Sequence, residues 1–514
     1  MRRRVTGRGT AALLGVLLLA GGGLVAAAGP AAAVACDPEN RLPDSDVDGD
    51  SVHDTVVGMP AVDDATGAVD VRGSGTAPLV LTAEALGAGT GPGQRFGAAV
   101  VMTDLDDDGC SDLVVSAPFE GQSAASDGAG GAEGQVHIVF GSPTGLLTTG
   151  AITLPHPSVP LDEFGTSLAV VSRTTGTGEV RDLYVGAPGA HIGAGAAAGQ
   201  VFRYVVRPDA THRVSVTLAE VRHQGSAGVP GVAEAGDRFG SVLAPARGGV
   251  LVSAPLEDIG TVVDAGAVWH LAVTDDGAPT TSRSWSQDTA GVPGTAEAGD
   301  RFGSSLDARG FTAVVGVPRE NVGRLVDAGS VQVLRFSPGR GRYVPGPGLT
   351  QDSPGIPGVA EAGDRFGEAV ATGVWFLCQE NVDLAIGAPG EDVGTKADAG
   401  TVTLVADGVP AGTPGCAPKV LRQGSGLAGA GETGDAVGSV LGHLTSPNDV
   451  DEDARDPLLL GVPLEDVGAA PDAGVVQPAS GGLVANGVPG PALTYSGGAR
   501  RSQRYGAVLS RPAG

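Results

Sequence analysis

Short apolar bursts, punctuated by glycine and proline, run the length of this chain. One burst ends the same way each time, in Gly or Ser, one further residue and Pro. It reads Val56-Val57-Gly58-Met59-Pro60, then Val114-Val115-Ser116-Ala117-Pro118, Tyr184-Val185-Gly186-Ala187-Pro188 and Leu251-Val252-Ser253-Ala254-Pro255. Val314-Val315-Gly316-Val317-Pro318, Ala385-Ile386-Gly387-Ala388-Pro389 and Leu459-Leu460-Gly461-Val462-Pro463 complete a set of seven. An apolar run stopped by Gly and Pro reads as a short strand with a clean end.

A second phrase precedes it: an aromatic or apolar residue, then Gly. Its instances are Phe96-Gly97, Phe164-Gly165, Phe239-Gly240, Phe302-Gly303, Phe366-Gly367, Val437-Gly438 and Tyr505-Gly506. A third follows it, a Gly leading into strict alternation, as in Gly134-Gln135-Val136-His137-Ile138-Val139 and Gly400-Thr401-Val402-Thr403-Leu404-Val405. Period-two alternation with β-branched residues predicts a strand. A fourth apolar segment such as Val216-Thr217-Leu218 closes the unit. Each unit of roughly 70 residues therefore supplies four short antiparallel strands. One such sheet cannot bury both faces alone, so the units stack radially. The expected fold is all-β, a seven-bladed β-propeller.

The two phrases are offset. The first Gly-x-Pro has no Phe-Gly before it, and the last Tyr-Gly has no Gly-x-Pro after it. Residues 44–90 thus supply three strands of one blade, and residues 501–509 supply the fourth. The two ends of the chain share a blade and close the ring.

Composition adjusts this picture at its edges. The 514 residues include 86 Gly and 36 Pro, which suits many turns and argues against long helices. Residues 1–35 read as a secretory signal: Arg2, Arg3, Arg4 and Arg8, an apolar stretch from Ala11 to Leu19, and Ala33-Val34-Ala35 at the cleavage site. The mature propeller is then residues 36–514, secreted and extracellular. A lipid-bearing Cys36 is the alternative, with Ala33 standing where Leu is usual. No later stretch of eighteen apolar residues is present, so no membrane span or C-terminal anchor is expected. The formal charge of −26 disfavours nucleic acid and anionic lipid as partners. The four cysteines, Cys36, Cys110, Cys378 and Cys416, read as disulfides in an exported chain. Of three pairings, Cys36–Cys110 and Cys378–Cys416 are expected. The first pins the mature N-terminus to the next repeat, and the second lies within one repeat.

Between the Phe-Gly and Gly-x-Pro phrases, two repeats carry Asp at alternate positions. One is Asp46-Val47-Asp48-Gly49-Asp50-Ser51-Val52-His53-Asp54; the other is Asp104-Leu105-Asp106-Asp107-Asp108-Gly109-Cys110-Ser111-Asp112. Carboxylates fall at loop positions 1, 3, 5 and 9. Position 7, Val52 or Cys110, offers its carbonyl. Carboxylates this close repel strongly without a cation. Calcium takes six to eight oxygens in irregular geometry, whereas magnesium keeps a strict octahedron and its waters. Calcium is the cation expected. A third loop keeps Asp449, Asp451 and Asp453 but has Pro457 at position 9, with Asp456 one step early. It is at most a weak site. The third repeat keeps only Asp182 and the sixth only Asp383; around Arg247 and Arg309 the loop is shortened.

Phe-Gly, an Asp-x-Asp-x-Asp-Gly-like loop, then Gly-Ala-Pro resembles the FG-GAP repeat of integrin α-chain propellers, over essentially all of residues 44–509. The resemblance implies seven blades, with calcium loops between a blade's first and second strands. It carries by position to Asp46, Asp48, Asp50, Val52 and Asp54, and to Asp104, Asp106, Asp108, Cys110 and Asp112. Asp48 and Asp106 stand where Asn is frequent, and Ser51 replaces the loop Gly.

A second acidic pattern follows Gly-x-Pro: Glu257-Asp258, Glu320-Asn321, Glu391-Asp392 and Glu465-Asp466, with Asp264, Asp327, Asp398 and Asp472 in step. Glu234–Arg238 recurs as Glu297–Arg301 and Glu361–Arg365. These groups are expected to meet on the face opposite the calcium loops, as Asx-turns and Arg–carboxylate pairs between blades. The alternative is a ligand-binding ring. No Gly-x-Ser-x-Gly or His-Glu-x-x-His is present, and three Trp and five Tyr leave few platforms for sugars. The expected role is a non-enzymatic binding or adhesion module, monomeric, with a protein or cell-envelope ligand. The competing role is a secreted hydrolase, glycosidase or esterase-like, with acidic pairs in the central channel.

Overall fold

In the computed structural model the residues described are 36, 42, 44–73, 77–89, 91–120, 134–156, 162–176, 178–375, 382–406, 416–444, 456–479, 506–509 and 511–512. They form seven sheets in a ring, antiparallel except for two short parallel pairings. Each apolar burst ending in Gly/Ser-x-Pro is the second strand of its blade. These strands are Thr55–Met59, Asp112–Ala117, Gly178–Ala187, Gly249–Ala254, Thr312–Val317, Asp383–Ala388 and Leu458–Val462. Every one stops at the residue before its proline, which has no N–H for a further ladder bond. The alternating phrase becomes the third strand, for example Gln135–Val139, Ala267–Ala272 and Thr401–Ala406.

Closure is as the offset repeats require. Val508–Leu509 pairs antiparallel with Thr55–Met59, through Val57 with Leu509 and Gly58 with Val508. The first blade runs Val508–Leu509, Thr55–Met59, Ala68–Arg72, Leu79–Leu81. One contact goes beyond the repeat pattern. Arg511–Pro512 continues past the first blade and pairs parallel with Val100–Thr103, the inner strand of the second. The tail therefore touches two blades. The seventh blade shows three strands among the described residues: Val440–His443, Leu458–Val462 and Val475–Ala479.

The core lies between sheets. One buried cluster joins Val114, Val136 and Ile138 of blade 2 to Phe202, Tyr204 and Val216 of blade 3. Another joins Tyr184 and Val201 of blade 3 to Val250 and Trp269 of blade 4. Phe96, Phe164, Phe239, Phe302 and Phe366, from the Phe-Gly phrase, are fully buried. Phe164 meets Phe202 edge-on, with ring centroids 5.1 Å apart at 87°. Such pairs add about 0.5–1.5 kcal/mol to the burial itself.

The glycines of the two phrases meet across blade boundaries. A Cβ on Gly58 would lie 2.1 Å from the Gly97 carbonyl oxygen, and one on Gly387 would lie 1.9 Å from that of Gly438. Backbone packs on backbone there, and no side chain fits. The innermost strands of five blades line an axial cavity of about 210 Å³, walled by residues such as Ala99, Thr166, Ser167, Val242, Leu441 and Val508. No helix among the described residues is long and apolar enough to cross a membrane.

Candidate metal centre: two aspartate loops at the ring closure

The first aspartate loop leads into strand Thr55–Met59. The second joins Val100–Thr103 to Asp112–Ala117. Both are built alike. Loop positions 4 and 6 take left-handed backbone in each: Gly49 (φ 71°) and Ser51 (φ 65°), against Asp107 (φ 59°) and Gly109 (φ 89°). This tight winding turns successive carboxylates toward a common point. Oxygens of Asp46, Asp48 and Asp50 lie within 4.8 Å of one another, as do those of Asp104, Asp106 and Asp108.

Backbone N–H groups set the frame. Asp46 Oδ1 accepts from Gly49 at 2.7 Å and Asp50 at 3.2 Å, and its Oδ2 accepts from Ser51 at 2.7 Å. Asp104 Oδ2 accepts from Gly109 at 3.0 Å. Asp108 Oδ1 accepts from Cys110 at 2.8 Å, and Asp50 Oδ1 from Val52 at 2.9 Å. The position-9 aspartates close the loops at their base. Asp54 accepts from the Val47 N–H at 2.7 Å and Asp112 from Leu105 at 2.8 Å. Asp54 and Asp112 lie outside the two triads above.

Charge is the unsolved problem of these loops. Asp46, Asp48, Asp54, Asp104, Asp106, Asp108 and Asp112 are all buried. Asp48 Oδ1, Asp54 Oδ1 and Asp104 Oδ1 are buried with no hydrogen-bond donor. An orphaned buried carboxylate oxygen is costly. Burial first, then the neighbouring Asp108 and Asp104 charges, pushes Asp106 up to about 8. Burial raises Asp104 to about 6 and Asp54 to about 7, and holds Asp112 well above the usual carboxylate range. Oxygen-only donors, anionic, crowded and short of hydrogen, fit a hard divalent cation.

Cys36 and Cys110 form a disulfide across 74 residues of sequence. Their sulfurs lie within 4.8 Å of the Asp108 carboxylate but are committed to each other, so they are not ligands. Cys416 is also disulfide-bonded; its expected partner, Cys378, lies outside the described residues. So do Asp449, Asp451 and Asp453. Asp456, at the end of that third loop, is buried, pairs with Arg309 and accepts the Val374 N–H at 2.7 Å. In the third blade Asp182 is held by Arg173 at 2.9 Å and Arg203 at 3.4 Å. In the sixth blade the remaining Asp383 accepts the Trp375 N–H at 2.6 Å instead.

Three partners of the loops had no marker in the repeat. Ser111 Oγ accepts the Asp46 N–H at 2.9 Å. Arg181 pairs with Asp107 at 3.1 Å, and His212 Nδ1 lies 3.1 Å from the Asp106 carbonyl. Both come from blade 3: Arg181 from the long strand Gly178–Ala187, and His212 from the turn between Gln200–Pro208 and Val214–Arg222.

On the opposite face the turns are as expected and the ion pairs are not. Asp258, Asn321, Asp392 and Asp466 accept the N–H groups of Asp264, Asp327, Asp398 and Asp472 at 2.9–3.1 Å. Arg238, however, pairs with Glu163 of the neighbouring repeat. Arg301 and Arg365 form no ion pair among the described residues. They hold the loops through backbone instead, donating N–H to the carbonyls of Asp264 and Asp327 at 3.2 and 3.1 Å. The acids are met by glutamines: Gln224, Gln287, Gln351 and Gln423 donate to Glu257, Glu320, Glu391 and Glu465.

Residues 96–139, from Phe96-Gly97 through the second loop to the third strand of that blade, match the FG-GAP repeat family model. A stretch of 157 residues, 29% of this chain, is 34% identical to integrin alpha-IIb of Homo sapiens and covers 14% of that protein. A stretch of 115 residues, 21% of the chain, is 33% identical to integrin alpha ina-1 of Caenorhabditis elegans and covers 10% of it. The match thus spans a small part of these relatives. The chain is a seven-bladed β-propeller that carries an FG-GAP repeat at residues 96–139. It is similar to a segment of the integrin α chains.

Proposed function

We propose that this protein is a secreted, non-enzymatic binding or adhesion module whose ring is braced by calcium at the first two blades. The observation that carries the calcium reading is the set of buried, donorless oxygens on Asp48, Asp54 and Asp104. Asp46, Asp48, Asp50, Asp54 and the Val52 carbonyl would hold one ion. Asp104, Asp106, Asp108, Asp112 and the Cys110 carbonyl would hold the other. Calcium, when bound, supplies the positive charge that lets these carboxylates stay ionised while buried.

Secretion is supported by the signal-like residues 1–35 and by the Cys36–Cys110 disulfide, which suits an oxidising compartment. Binding to a protein or cell-envelope ligand, as a monomer, rests on the likeness to integrin α chains and is an analogy of fold. The walls of the axial cavity argue for binding over hydrolysis: they are apolar and hydroxyl-bearing, and no acidic pair lines them among the described residues.

Thermal unfolding with calcium and with a chelator tests the brace. A ligand that binds only the folded state at a hundred times its Kd adds about 2.7 kcal/mol. The melting temperature should rise with calcium and return on chelation. No difference, with magnesium as control, would remove the calcium reading. A calcium-dependent pull-down from cell envelope then tests the binding role separately.

A further inference from the structure

We propose that the two aspartate loops take up their cations as one coupled unit, with the Cys36–Cys110 disulfide and Ser111 as the coupling elements. The inference rests on the cation reading above.

Three contacts tie the frame of one loop to that of the other. First, Asp46, position 1 of the first loop, is doubly bonded to Ser111. Its N–H donates to Ser111 Oγ at 2.9 Å, and its carbonyl accepts the Ser111 N–H at 2.7 Å. Ser111 stands between Cys110 and Asp112, positions 7 and 9 of the second loop. Second, the segment Gly141-Ser142 serves both loops. Gly141 N–H donates to Asp112 Oδ1 at 2.9 Å, and Ser142 N–H donates to the Val47 carbonyl at 3.1 Å. Third, Cys36 packs on Gly49, position 4 of the first loop, so closely that a Cβ there would lie 2.5 Å from its sulfur. The same Cys36 is bonded to Cys110 of the second loop.

The physical consequence follows from where these contacts fall. Each loop must be ordered to bring its oxygens to one point, and ordering costs conformational entropy. Through the shared frame, ordering the first loop at positions 1, 2 and 4 orders backbone at positions 7, 8 and 9 of the second, and the reverse. The second cation then meets a site already arranged, which is positive cooperativity without any contact between ions. The coupling is reciprocal, so damage to either loop weakens both. Breaking the disulfide removes the packing behind Gly49 and frees Cys110 together.

Calcium alone, titrated calorimetrically into the full chain, tests this, with circular dichroism to check each fold. Asp104→Ala disables the second loop by removing its position-1 carboxylate. The remaining site should bind calcium more weakly than the second ion binds to the unaltered chain, by a factor in the range of about 5–150. Cys36→Ser with Cys110→Ser should weaken both sites. Ser111→Ala keeps the disulfide, and it should do the same more mildly, which keeps the test decisive if the cysteine variant does not fold. Two independent sites would overturn the coupling alone: Asp104→Ala and Ser111→Ala would leave the affinity of the first loop unchanged. A flat titration of the unaltered chain would overturn the cation reading and this inference with it.

Discussion

At the scale of single residues, the loops show how little room their geometry leaves. Ser51 occupies a left-handed position (φ 65°) where the second loop has Gly109. A non-glycine residue there is strained by about 1–2 kcal/mol. Ser51→Gly should therefore raise stability, by about 1 kcal/mol or less once the added freedom of the unfolded chain is counted. Gly49→Ala should act the other way and much more strongly. It adds a Cβ at φ 71° and drives it into Cys36. Urea unfolding of the two variants checks both signs; equal midpoints would contradict the loop geometry. The alternate aspartates, and Ser51 as the departure, were legible from spacing alone. Ser111, Arg181 and His212 were not. Arg181 meets Asp107 across 74 positions of sequence, and Ser111 serves Asp46 across 65. Such contacts exist only once neighbouring blades are in register.

At the scale of blade elements, the same distinction holds. The Gly-x-Pro phrase announced every second strand, because a strand must stop where proline removes its donor. The partners of the acidic loops were misjudged. Glu257, Glu320, Glu391 and Glu465 sit against glutamines at the close of the preceding fourth strand, not against arginines. Burial pushes Glu257 and Glu320 up to about 7. In each pair the glutamine Oε1 is buried without a donor. A protonated carboxyl can supply that donor; a carboxylate cannot. Because the folded pKa is raised, the stabilisation is full below the unfolded value of about 4.5 and is lost as pH rises through about 7. Glu257→Gln with Glu320→Gln replaces the pair with two amides that satisfy each other at any pH. In saturating calcium, this variant should melt higher than the unaltered chain at pH 8 and nearly level with it at pH 4.5. A constant difference across that span would show that these glutamates do not titrate there.

At the scale of the whole ring, stability depends on how the chain ends meet. Val508–Leu509 supplies the first strand of blade 1, and Arg511–Pro512 goes on to blade 2. The first contact was written in the offset of the repeats. The second was not, because Arg511–Pro512 has no counterpart in any other repeat. Removing residues 501–514 should lower the melting temperature by opening the ring; an unchanged value would mean that the tail closes nothing. The two aspartate loops lie on the same two blades that the tail joins, with the disulfide between them. Elsewhere, Asp182 is held by Arg173 and Arg203, Asp456 pairs with Arg309, and Asp383 accepts a backbone N–H. The calcium brace proposed above would therefore be local to the seam of the ring. Hydrogen exchange of the full chain, with calcium and with chelator, tests that claim most directly. The account predicts that chelation speeds exchange in residues 44–118 and leaves the middle blades, residues 243–349, protected. Exchange that is the same with and without calcium, or that rises equally around the ring, would contradict it.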